Sequence, residues 1–393
     1  MYSSSSSNPN TQQVLILHVT SRRAKASVVD PAGDIVATAE RLLSISEPSP
    51  GWAEQDPLEV IAAAKAVLQE AYAAKTGMVV AVGLATERGA AIAWNPQDGQ
   101  PLYPLINQQD TRTYEQCRDV SHTEEHRAIV RERTGLSINP SFAAPKMHWL
   151  TNRTSTLGSA MGTLDSWLMH NLLSGKPHLT DRTNAASTQL FNIKTLGWDE
   201  DLLKLWGLHE DLLPELRPSF SDFGTLSADI LGEPLPVTTV VGDQQASLYV
   251  AGTTRVGYGD QLVAMKPLGS EFRITEGVLT TLAVGPDDER YYALEDPIGP
   301  AAMRVVAVHD QPEQLAAVLQ QISVEVAASL QLILTQQDKH VVMDGELSES
   351  DQLLQTQQKL LPEVELSRQN YSDSVALGVA KLTFDRIAQR LLS

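Results

Sequence analysis

Val237-Thr238-Thr239-Val240-Val241-Gly242-Asp243-Gln244-Gln245 is the stretch on which the fold turns. Val237 to Val241 reads as a strand that runs straight into Gly242-Asp243. A helix follows, so Asp243 projects from the C-terminal edge of a sheet. Open α/β sheets bind their ligands along that edge. A carboxylate there can take a proton from a hydroxyl, and Gln244 can hydrogen-bond a second one. The competing reading is that Asp243 only caps the helix from Gln244 onward.

The same strand-and-helix grammar extends in both directions. Val14-Leu15-Ile16-Leu17 is a buried strand, and Ala26 to Val29 is a second. Pro31-Ala32-Gly33-Asp34 is turn chemistry, after which Ile35 to Thr38 returns as a third strand. Asp56-Pro57 starts a helix with Asp at the cap and Pro at the first helical position. Val60, Ala63, Val67 and Ala71 recur along it at helical spacing. Met78 to Leu84 and Ala90 to Trp94 read as strands, and Thr111 to Arg133 as one long charged helical stretch. Shorter helices fit Pro145 to Asn152 and Asp165 to Leu173. Further on come a helix over Glu313 to Gln337, a strand over His340 to Met343, and helices over Ser350 to Leu361 and Asp373 to Leu392. Strands and helices mixed in this order define an α/β protein.

At 393 residues the chain exceeds one ordinary core, so two domains are expected. The boundary falls near Pro234 to Thr239, giving domains over 14–236 and 237–393. Met1 to Gln13, Ser-rich and without period, is expected to be a disordered tail. Acidic residues number 48 and basic ones 30, a formal net charge of −18. That balance disfavours nucleic acid and anionic membrane as partners. The lone Cys117 excludes an internal disulfide and a multi-cysteine metal site. No apolar run approaches a membrane span and no signal peptide is evident, so a cytoplasmic protein is expected.

Three other segments compete for attention. Arg88, after the Met78 strand, can hold a polar ligand through paired hydrogen bonds, or can be a solvated surface residue. Asp110-Thr111-Arg112 reads as a helix cap with a local ion pair. His122-Thr123-Glu124-Glu125-His126 fits H-x-x-E-H, with two His one helical turn apart, which would make a zinc hydrolase. Its charged surroundings favour a solvated helix face instead. G-x-x-x-x-G-K-[ST], G-x-G-x-x-G and G-x-S-x-G do not occur.

Read together, the segments resemble the glycerol kinase branch of the FGGY carbohydrate kinases. Pro50-Gly51-Trp52-Ala53-Glu54-Gln55-Asp56-Pro57 is similar to the family's P-G-W-x-E-x-D-P. Gly83 to Arg88 lies where the family has G-I-T-N-Q-R-E, and Gln109 to Thr113 resembles the end of W-Q-D-x-R-T. Thr134-Gly135-Leu136 through Lys146, Thr163 to Leu168, Thr180 to Ala185 and Leu190 to Ile193 follow in the family's order. Gly242-Asp243-Gln244-Gln245-Ala246 matches G-D-Q-Q-A outright. The resemblance implies two ribonuclease-H-like domains of the actin/Hsp70 ATPase type, the C-terminal one truncated. It also implies Mg²⁺ and ATP as cofactors if the chain is active. Asp243 would be the base, and Arg88 and Gln244 would hold hydroxyls of a small polyol or sugar. Family members often form homo-oligomers.

The departures from the family fall on the chemistry. The family's D-x-G-T-[ST] phosphate loop is replaced by His18-Val19-Thr20-Ser21-Arg22. The imidazole of His18 stands for a metal-linked Asp, and Thr20 stands for a Gly. Only the hydroxyl of Ser21 survives, with Arg22, Arg23 and Lys25 as substitute cations. The second phosphate loop is replaced around Val263 to Pro267, which brings in Lys266. In the polyol pocket a Glu has become Gly89, a Trp has become Gln108 and a Tyr has become Ser141. The adenosine loop D-G-G survives as Asp344-Gly345-Glu346, and Ala376-Leu377-Gly378 keeps the look of the terminal A-L-G-A helix. A base contributes about 10²–10⁴-fold, whereas phosphoryl positioning and charge neutralisation supply the larger share. The expectation is therefore a pseudokinase that binds a polyol, a sugar or a protein partner. The alternative is a working kinase with a rearranged nucleotide site.

Overall fold

Val14, Leu15, Ile16 and Leu17 are almost wholly shielded from water, which makes the first strand, Gln12–Val19, the centre of a sheet. The computed structural model describes residues 12–155, 158–259, 261–285, 290–299, 302–308, 310–369 and 373–392. The expected tail lies outside the described residues up to position 11. Gln12 and Gln13 belong instead to the strand. Gln13 is buried, donates to Thr76 Oγ1 at 2.8 Å and accepts the Gly77 amide at 3.0 Å.

The chain divides into two units. In the first, the strand order is Thr225–Leu226, Leu235–Gly242, Met78–Thr86, Gln12–Val19, Arg23–Val29, Ile35–Leu42. The Leu235, Met78 and Gln12 strands run parallel, and the last three form an antiparallel meander. Register fixes what matters for function. Val19 and Gly242 both pair with Thr86, so the parallel strands end side by side. Thr20-Ser21, Glu87-Arg88 and Asp243 thus leave the sheet along one edge.

Helix Pro57–Ala73 covers one face of this sheet, burying Val60, Ile61, Ala64, Val67 and Leu68. Asp56 caps it by accepting the Leu58 amide at 2.9 Å. The C-terminal helix Ser374–Leu392 also packs on the first sheet. Thr383 meets Thr239 at 2.7 Å, and a Cβ on Gly83 would lie 2.3 Å from Val379. A Cβ on Gly378 would lie 1.9 Å from the Ala246 carbonyl oxygen, so only glycine permits this approach.

The second unit runs from Ser247 to Ser374. Its strand order is Leu279–Ala283, Tyr291–Gly299, Leu262–Gly269, Arg255–Tyr258, His340–Asp344, Glu365–Arg368. The first four are antiparallel and the last two add in parallel. With the edge strands Thr225–Leu226 and Leu279–Ala283 set aside and Arg255–Tyr258 taken as strand one, the remaining five strands follow the 3-2-1-4-5 order of the first unit. Arg255 and Asp344 form a buried two-point ion pair at 2.7 Å. Helix Pro312–Ile333 is long and apolar enough to cross a membrane by length and composition, contrary to the expectation that no run approaches that. Its Leu319, Ile322, Val326, Leu330 and Ile333 instead line the second core, beside helix Asp351–Leu360.

Three expectations need correction. The division between units falls after Ala246, not at 236, because the Leu235 strand pairs with Met78–Thr86 in the first sheet. The first unit also resumes at Val375, through the C-terminal helix. Finally, the long charged helix is two helices, Tyr114–Val120 and Glu124–Thr134, because the Thr123 side chain caps the second by accepting the His126 amide.

Candidate functional site

Asp243 opens helix Asp243–Ala251 and is 7% exposed. Its two oxygens divide the two readings made of it. Oδ1 accepts the Gln244 amide at 2.6 Å, a helix-start contact. Oδ2 faces His18 Nε2 across 4.0 Å. That distance is too long for a hydrogen bond. Burial pushes the Asp243 carboxyl up, but the His18 contact, the Arg88 charge and the Gln244 amide together hold it below the usual carboxylate range. Asp243 is thus kept ionised, which also makes it a weaker base.

Arg88 is buried, so the solvated-surface reading fails. Its stem crosses directly over Gly242, where a Cβ would lie 2.8 Å from Arg88 Cδ. Gln244 is half-buried one residue beyond Asp243. The three altered pocket positions also come together. Gly89 has φ +84°, and a Cβ there would lie 2.4 Å from the Ser141 carbonyl oxygen and 3.2 Å from Gln108. The glycine lets the Ser141 backbone close onto this turn where a Glu side chain could not fit.

Lys146, fully buried on helix Ala143–Thr151, donates to the Gly89 carbonyl at 2.9 Å and to the Phe142 carbonyl at 3.1 Å. It pins the Arg88-Gly89 turn to the Ser141-Phe142 segment. Burial pulls its pKa down to about 7, against the upward pull of Asp110. Sequence reasoning gave Lys146 no role; a lysine between Pro145 and Met147 in an apolar helix was the available signal.

The amides of the turn after the first strand are bonded within the chain. The Thr20 amide donates to the Arg23 carbonyl at 2.9 Å. The Ser21 amide donates to Glu87 Oε2 at 2.6 Å. The Arg22 and Arg23 amides both donate to Thr20 Oγ1 at 3.2 Å. Gln55 holds the Ser21 carbonyl at 2.7 Å. Four consecutive amides are taken, one of them by the Glu87 carboxylate. Glu87 is a residue that the sequence reading missed.

In the second unit Lys266 is not on a loop. It lies within strand Leu262–Gly269 and is paired with Asp338, whose own carboxyl is held low despite burial, by that lysine and Thr335. The turn equivalent to Thr20–Arg22 spans 259–261, and position 260 lies outside the described residues. Gly345 follows the His340 strand with φ +91°, its backbone packed on Tyr258. The described phosphate-loop residues therefore do not fit an ATP phosphate in the family's manner.

The remaining candidates are structural. Asp110 pairs with Arg112 at 2.7 Å, as expected, but the next helix is capped at Thr113, not Asp110. Arg112 also binds Glu54 at 2.8 Å and lies 3.8 Å over the Trp52 ring. His122 precedes the Thr123 cap and is exposed, while His126 Nδ1 contacts the Val120 carbonyl at 2.9 Å. The two imidazoles do not share a helix face. Among the described residues no group of three or more His, Cys, Asp or Glu could hold a metal. Cys117 is buried, and burial pushes its thiol up to about 11.

A pair of sheets with the same 3-2-1-4-5 order, and an acidic residue where the fifth strand of the first sheet ends, defines a ribonuclease-H-like protein of the sugar-kinase type. Residues 14–249 match the FGGY family of carbohydrate kinases, N-terminal domain. The chain belongs to that family. The glycerol kinase of Geobacter sp. (strain M21) is 37% identical over 292 residues, covering 70% of this chain and 59% of the relative. The glycerol kinase of Aquifex aeolicus (strain VF5) is 36% identical over 296 residues, covering 72% and 59%. The match thus spans about 59% of the length of these relatives. The crystal structure of Plasmodium falciparum glycerol kinase with ADP superposes with a TM-score of 0.88 at 21% identity, covering 96% of this chain and 90% of that one. A gluconate kinase from Lactobacillus acidophilus gives 0.83 at 16% identity, covering 97% and 90%. Both share the fold.

Proposed function

We propose that this chain is a glycerol kinase-like protein that has lost efficient ATP-dependent phosphotransfer and keeps a hydroxyl-binding site around Asp243 and Arg88. The observation that carries the reading is the capture of all four amides from Thr20 to Arg23, with Glu87 on Ser21. Phosphoryl transfer depends on positioned donors and neutralised charge. A first phosphate loop whose donors are already bonded supplies neither. The engagement of Lys266 by Asp338 points the same way. A small polyol, a sugar or a protein partner is the class of ligand this leaves.

The test is calorimetric titration of the full chain with Mg·ATP, with and without glycerol, beside a phosphotransfer assay on the same sample. No nucleotide heat and no turnover is the expected result. Turnover at an ordinary kinase rate, about 1–100 s⁻¹, overturns the proposal. The second reading, an active polyol kinase, draws support from the ionised state of Asp243. It requires Asp243→Asn to abolish turnover.

A further inference from the structure

His18 Nε2 is buried and has no hydrogen-bond partner among the described residues. It faces Asp243 Oδ2 at 4.0 Å. A buried ring nitrogen without a hydrogen bond is costly. The distance indicates what could satisfy it. Two hydrogen bonds of about 2.8 Å meeting at about 90° on one oxygen span that gap. A hydroxyl group suits the place: it donates to the carboxylate and accepts from the Nε2–H. Two facing carboxylates would need a cation or a shared proton between them. An imidazole facing a carboxylate does not.

We infer that His18 and Asp243 together form a metal-independent clamp for one hydroxyl of a small neutral polyol. The inference rests on the hydroxyl-binding part of the function proposed above and assigns His18 to the polyol, not to the nucleotide. Register supports it. His18 is the penultimate residue of its strand, and Gly242, which precedes Asp243, ends the strand two places away. Both side chains thus arrive at the same sheet edge, with Arg88 crossing Gly242 beside them.

The experiment is calorimetric titration of the full chain with glycerol in nucleotide-free buffer containing a chelator. Saturable binding is expected for the natural chain. His18→Gln sets an amide N–H near the position of Nε2 and should bind within about threefold of it. His18→Phe and Asp243→Asn should each bind roughly 10- to 100-fold more weakly. Because one hydroxyl bridges both groups, the double variant should lose little beyond either single one. His18→Ala is the second variant in case the phenyl ring disturbs the strand, and thermal melting confirms the fold of each. Unchanged binding by His18→Phe and His18→Ala, additive losses, or binding only with Mg²⁺ present overturns the clamp. So does the absence of glycerol binding. That last outcome leaves the loss of phosphotransfer standing, because Mg·ATP titration decides it separately.

Discussion

At the scale of single residues, charge in the first unit is managed by burial with partners. Asp165 shows the consequence for stability. It is fully buried, accepts from Thr163 at 2.5 Å and Thr180 at 2.7 Å, and neighbours Asp181. Burial first, then the Asp181 charge, pushes its pKa from 3.8 up to about 7. The folded state therefore holds a proton that the unfolded state releases above pH 3.8. This contribution is full below that pH and is lost as pH rises to about 7. Asp165→Asn should flatten this part of the profile and raise the melting temperature at pH 8 relative to pH 5, compared with the natural chain. Parallel melting curves for the two proteins would refute the assignment. The position of Asp243 at a strand end was legible because a strand, a Gly and an Asp occur in a fixed order, whereas Arg88 stood out only through the family resemblance. Glu87 and Lys146 were not legible, since their roles depend on a turn and a carbonyl distant in the chain.

Among elements, legibility followed local chemistry. Asp56-Pro57 announced its helix because cap and first position are adjacent in sequence. The strands Arg255–Tyr258, Leu262–Gly269, Leu279–Ala283 and Tyr291–Gly299 went unassigned. Pro267 and Pro297 sit inside two of them, and proline argues against a strand until its neighbours are known. The long charged stretch failed for the opposite reason. Its composition favours helix throughout, and only the Thr123 cap marks the break. The C-terminal helix offers a prediction with an unusual sign. An exposed Gly→Ala inside a helix ordinarily stabilises by about 1 kcal/mol. Gly378→Ala should instead destabilise by at least ~2 kcal/mol, because the new methyl meets the Ala246 backbone. A rise in the denaturant midpoint for this variant would show that the contact is not made.

For the molecule as a whole, the net charge of −18 sets how any anion approaches. Raising ionic strength from about 0.01 to 0.15 M shortens the screening length from about 30 to about 8 Å. Residual association with Mg·ATP should therefore hold or tighten as salt is added. A site built on basic residues behaves in the opposite way. A steep loss of binding with salt would mean that a basic pocket outweighs the overall field. The two-sheet plan was legible as a family resemblance, but the ownership of its last helix was not, because helix Ser374–Leu392 reads identically wherever it docks. That docking bears on synthesis. The face of the first sheet around Gly83 and Thr239 lacks its covering helix until residues 374–392 leave the ribosome, and the whole of 247–374 is translated in between. At bacterial or eukaryotic elongation speeds the wait is on the order of ten seconds. During it, the surface around Gly83 and Thr239 stays open to chaperones and to neighbouring nascent chains.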